Sequence, residues 1–152
     1  MGIRQLFSVL IAAGLSVASA SSYAVDVYQR RTTVSTPLAF NAATLTPIIQ
    51  ITVPAGTWRV IAKASVVNFG ASNYLRCVVR SGTTQIDSAT TMVGEAGGQP
   101  AVATLTNVGL ITTVLTTVFS LQCLHDFGAN GIYVDPDAKL NVERVSSGFI
   151  SN

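Results

Sequence analysis

Residues 51–68 read I-T-V-P-A-G-T-W-R-V-I-A-K-A-S-V-V-N, and residues 73–80 read N-Y-L-R-C-V-V-R. In the first run Trp58, Val60, Ala62, Ala64 and Val66 fall on one side of a period-two pattern, with Arg59, Lys63 and Ser65 on the other. That alternation is the signature of a strand with one buried face. Pro54-Ala55-Gly56 supplies corner chemistry before it, because Pro presets φ and Gly accepts positive φ. After the break at residues 69–73 the pattern resumes, with Leu75, Cys77 and Val79 inward and Tyr74, Arg76 and Arg80 outward. Two long strands around a turn set the expectation of an all-β chain. Two mid-strand alanines leave room for an opposing layer, and Trp58, continuous with the apolar row, reads as core or corner packing rather than a ligand platform.

Working outward, Ile49, Ile51 and Val53 alternate with Gln50 and Thr52 as a preceding strand. Further strands are expected over residues 85–90, 101–107, 118–124, 132–134 and 139–145, and residues 108–113 read as another strand or as part of a hairpin. Phe119, Leu121 and Cys123 share one face of the strongest of these. The runs 94–100, 127–131 and 135–137 carry turn residues. Thr and Val are abundant and Lys, Glu and Gln scarce, a balance that favours pleated sheet over helix surfaces. The fold class expected is an all-β antiparallel sandwich of jelly-roll type, forming one domain over residues 41–152.

The first residues differ in kind. Arg4 precedes an apolar run over residues 6–17, and Ala18-Ser19-Ala20 follows with small residues where a signal peptidase reads. This is the pattern of a cleavable, helical signal peptide ending at residue 20, with residue 24 as the alternative end. The run is shorter than the ~20 apolar residues a membrane span requires, so no stable insertion is expected after cleavage. The destination expected is periplasmic, cell-surface or extracellular. Residues 21–40 read as a lead-in in which Val25 and Val27, with Val34, could pair as a short edge strand, and Arg30 and Arg31 sit just beyond that strand as solvated charge.

Only 11% of residues are charged, against roughly 25% in an ordinary soluble domain, and the net charge is +2. That balance excludes the broad basic face of a nucleic-acid binder. Cys77 and Cys123 are the only cysteines, both on inward-facing positions, and an exported chain with an even count points to a disulfide between them. It would make the two strands neighbours or staple sheet to sheet.

Sites of chemistry are thin. His125 is the only histidine, beside Asp126, and no serine stands in a G-x-S-x-G elbow. One His and two bonded Cys make no zinc site. Asp135 and Asp137, with Asp126 and turn carbonyls, are weak calcium candidates, and Asp-Pro-Asp is equally an ordinary turn. Residues 94–98 lack the Lys-Ser/Thr of a phosphate loop. No catalytic residue, cofactor or metal is expected.

At V-P-A-G-T-W-R-V-I-A-K-A-S-V-V-N, then R-C-V-V-R, T-T-Q-I-D-S-A, F-S-L-Q-C and L-N-V-E-R-V, the chain resembles small secreted bacterial jelly-roll domains related to the complement globular head and tumour-necrosis-factor superfamily. The likeness spans residues 38–145. It implies a ten-strand sandwich, often trimeric, that binds or displays rather than catalyses, and it assigns no binding residue. The function expected is thus an exported, non-catalytic binding or structural module with an unknown protein or glycan ligand and a possible homo-oligomer. The alternative is a pilin-like or matrix-forming subunit whose segment 25–40 adds a strand to a neighbour.

Overall fold

A computed structural model describes residues 25–38, 44–94, 100–126 and 131–145. The expected signal peptide (residues 1–20, or to 24), the end of the lead-in, most of the loops at 94–100 and 127–131, and the tail after 145 lie outside the described residues. Among the described residues there is no helix, and ten strands follow in order. They are β1 (Val27–Arg31), β2 (Thr36–Pro37), β3 (Thr46–Val53), β4 (Gly56–Asn68), β5 (Asn73–Ser81), β6 (Thr84–Val93), β7 (Ala101–Thr113), β8 (Thr117–His125), β9 (Ile132–Val134) and β10 (Lys139–Arg144). All pairings are antiparallel and form two sheets.

One sheet is built on β4. Along one side β4 pairs with β7 over its whole length, from Gly56↔Thr113 to Asn68↔Ala101. Along the other it pairs first with β10 and then with β9, and β1 and β2 lie beyond those. The second sheet runs β3-β8-β5-β6. Between the sheets sit Trp58, Val60, Ala62, Ala64 and Val66 of β4, Leu75, Cys77 and Val79 of β5, Phe119, Leu121 and Cys123 of β8, and Leu140 and Val142 of β10, each at most 1% exposed. The inward rows read from the sequence are the rows that form this core. Trp58 is fully buried at the corner it was expected to fill. Its Nε1–H donates to Pro54 O at 3.2 Å, Tyr28 meets its ring edge-on at 5.6 Å, and the Arg144 guanidinium lies 4.6 Å from the ring centre. Pairing an indole N–H in this way lets the largest side chain be buried without stranding a donor.

Three expectations are corrected. Residues 108–113 are not a separate strand: β7 is one strand of 13 residues, because β4 is equally long and offers a partner at every position. Arg30 and Arg31 lie inside β1 rather than beyond it, since β10 supplies partners as far as Arg31↔Lys139. The strand expected at 85–90 runs on to Val93, which is buried although the preceding residues are mostly polar.

The cysteines pair, as expected, and the two strands they join are neighbours. Cys77 stands directly opposite Cys123 in the β5–β8 register, with Cα atoms 4.1 Å apart. Gly82 N donates to Val118 O across this pair of strands, so even-numbered β8 residues turn their backbone groups toward β5. Cys123 therefore turns its own toward β3, and the cysteines occupy a non-hydrogen-bonded position, where facing side chains stand closest. At Gly82 the chain turns with φ +56°, a conformation glycine adopts without strain.

Two stability outcomes are expected from this core. Replacing Cys77 and Cys123 together by Ala reopens a loop of 46 residues and should lower unfolding stability by about 4 kcal/mol on the chain-entropy model, read by urea titration. A loss under ~1 kcal/mol would show that the sheets alone hold the register. Trp58→Ala should cost about 3–5 kcal/mol in the same titration, because it leaves a cavity where the fully buried indole packed.

Candidate functional site

Sheets that do not close leave strand edges, and these edges differ in how they are guarded. An open edge offers a row of unpaired N–H and C=O groups, which natural proteins blunt with charge, proline, bulges or short length. β2 is two residues long and includes Pro37. β3 contains Pro47 and a register shift between Pro47 and Ile49. β1 carries Arg30 and Arg31, and the β5–β6 ladder shifts register beside Arg80. β7 reads A-V-A-T-L-T-N-V-G-L-I-T-T, with neither a charge nor a proline in 13 residues.

The direction of the β7 backbone follows from a few bonds. Asp135 N donates to Ser65 O and Val145 N to Thr57 O, so odd-numbered β4 residues face β9 and β10. Even-numbered β4 residues therefore face β7, where their register partners are odd-numbered. Val102, Thr104, Thr106, Val108, Leu110 and Thr112 turn their backbone groups away from β4. Their side chains are also the exposed ones, with Val102, Val108 and Leu110 at 62%, 56% and 55%.

Along this flank β6 of the second sheet lies against β7, joined by a polar clamp. Val108 N–H donates to Asp87 Oδ2 at 2.9 Å, and buried Asn107 donates from Nδ2 to Cys77 O at 3.3 Å and to the same Asp87 oxygen at 3.4 Å. The sheets approach closely here. A Cβ on Gly109 would stand 2.2 Å from Ile86 Cγ2, so glycine is what lets Ile86 fill the gap.

The opposite flank, between β1 and β3, is looser. Arg30 Nη1 donates to Gln50 O at 3.0 Å and bridges the sheets. On either side of that bridge lie open cavities of about 460 and 600 Å³, both bordered by Arg30 and Gln50. Among the described residues Arg30 has no carboxylate partner, whereas Arg31 pairs with Asp137 at 3.2 Å. This groove offers a cation and strand-edge amides to an extended ligand.

The candidates read from the sequence are not brought into one site. His125 is 1% exposed at the end of β8. Asp126 pairs with Arg76 at 3.3 Å, and the carboxylate of Asp137, at φ 69°, is engaged by Arg31. The Asp135 amide is tied to Ser65 O at 2.8 Å. No group of three or more His, Cys, Asp or Glu converges among the described residues. Segment 25–40, the candidate donor strand, has Val27–Arg31 hydrogen bonded to the chain's own β10. Asp87, Asn107 and Arg30 were missed as bridging residues. The available signal was a carboxylate and an amide on inward positions of otherwise apolar or Thr-rich strands.

No protein-family model and no curated protein matches this chain. Solved structures do match. VP2 in the infectious bursal disease virus subviral particle aligns with a TM-score of 0.51 and 13% identity over 93% of this chain and 39% of that one. The infectious bursal disease virus Gx strain structure aligns with a TM-score of 0.48 and 16% identity, over 92% and 39%. This chain thus spans under two-fifths of the chains it matches. At such identity the VP2 likeness concerns the fold. It supports a jelly-roll-like sandwich, at the level of the fold alone.

Proposed function

We propose that the chain is an exported, non-catalytic structural β-sandwich whose copies associate edge to edge along β7. The observation that carries this reading is the contrast among edges: β7 is long, uncharged and proline-free, while the others are short, charged, bulged or interrupted by proline. On β7 the exposed side chains and the backbone groups turned away from β4 belong to the same residues, and only at Val108, whose N–H is donated to Asp87, does a charged side chain stand at the edge. Cross-strand Thr and Val pairs add roughly 0.2–1 kcal/mol each to such a pairing. A buried cross-strand disulfide fits an oxidising compartment, which supports export. The sandwich shared with VP2 of a subviral particle accords with a structural role.

A second reading, a binding module, is favoured by the β1–β3 groove and by Arg30 within it. The groove would take an extended anionic ligand, and the two readings are compatible on one molecule because the flanks are opposite.

Light scattering coupled to size exclusion tests the association. Mature protein should show a mass that rises with concentration, and Thr106→Lys, which places a charge on the exposed edge, should return it to monomer with unchanged melting temperature. A wild-type chain that stays monomeric at every concentration sinks the reading.

A further inference from the structure

The groups along the β7 edge are not equivalent. Val108 N–H is already donated to Asp87, and Asn107 holds the same carboxylate in place. A carbonyl arriving to accept from Val108 would meet an acceptor instead of a donor. Asp87 therefore divides the edge into a run with Val102, Thr104 and Thr106 and a shorter run with Leu110 and Thr112. This deepens the edge-association reading above and rests on it. We propose that the partner at β7 is a second copy of this chain, paired antiparallel over residues 102–106 about a two-fold axis at Thr104, with Asp87 fixing that register.

In this arrangement Thr104 faces Thr104 of the partner subunit, and Val102 faces Thr106 of the partner subunit. Each of these is a hydrogen-bonded pair exchanging both its bonds, because even-numbered residues turn their N–H and C=O outward on both copies. The outward side chains then meet as Thr on Thr and Val on Thr, with no charge anywhere along the seam. The ladder also ends by itself. Two steps beyond Thr106, Val108 falls opposite Pro100 of the partner subunit: the first has its N–H occupied by Asp87, and the second has none to give.

A second copy fits better than another kind of strand because the row is self-complementary, offering no charge for a foreign partner to read. A two-fold contact uses the same patch on both copies and closes on itself. β7 pairing thus yields a discrete dimer rather than an open fibre. Val102, 62% exposed, adds apolar surface within the seam. So short a seam falls below the roughly 1,200 Å² of total buried surface typical of stable complexes, so the dimer dissociates on dilution.

Single-cysteine crosslinking reads the register directly. The native disulfide is fully buried and leaves no free thiol. Under mild oxidation at concentrations where scattering shows association, Thr104→Cys should form a covalent dimer, and Leu110→Cys should form at least ~10-fold less, since a tenfold preference needs only about 1.4 kcal/mol. Thr104→Pro should abolish association while leaving the melting curve close to wild type, because it removes an N–H that the monomer's ladder does not use. Equal crosslinking at both positions, or at Leu110 alone, overturns the register while leaving edge association standing. Absence of any association in the wild-type chain overturns both.

Discussion

The architecture depends on the length of β4 and on the alternation that antiparallel pairing forces along it. With all 13 residues paired to β7 along one side, and residues 58–63 paired to β10 and 66–68 to β9 along the other, alternate backbone groups serve β7 and those between them turn toward β10 and β9. The same alternation sends side chains inward and outward. On β4 the residues bonded to β7 are also those whose side chains make the core, such as Val60, Ala62 and Ala64. On β7 the consequence is reversed: residues with exposed side chains are those whose backbone groups turn away from β4. Surface chemistry and edge accessibility are thereby tied to the same six positions.

The two sheets are held by more than apolar contact, and the two flanks are held differently. On the β6–β7 side a carboxylate reaches across to a backbone amide and a buried side-chain amide, and the layers touch at Gly109 and Ile86. On the β1–β3 side a guanidinium reaches across to a carbonyl and leaves room on both sides of itself. An inward-pointing acid protects an edge by occupying a donor, whereas an arginine lying across a gap holds it open. The disulfide acts within one layer instead, setting the β5–β8 register at the middle of its sheet.

Much of the fold was legible because a half-buried strand writes itself in a period of two. Trp58 to Val66, Leu75 to Val79 and Phe119 to Cys123 each announced their inward face, and the disulfide followed from two cysteines on those rows. The length of β7 was not legible. Thr, Ala and Gly hardly distinguish its two faces, so the break read at Asn107 was a change in side-chain size rather than an end of pairing. The extent of β1 was hidden for a related reason, since paired arginines look like loop until a neighbouring strand is known to bond them. The candidate surface was least legible of all. Whether a strand lies at an edge depends on sheet order, and sheet order is a long-range property with no local spelling.

The chain enters and leaves the described sandwich at one place. Arg144 N donates to Asp26 O at 2.9 Å, and the side chains of the same two residues form an ion pair at 2.7 Å. A pull applied through these two neighbouring ends would load that single point and peel β1 from β10 one rung at a time. The disulfide-linked sheet would carry little of that tension. Mechanically, the molecule would behave as a zipper fixed to a rigid plate, yielding first at its outermost strand and last where the cysteines meet.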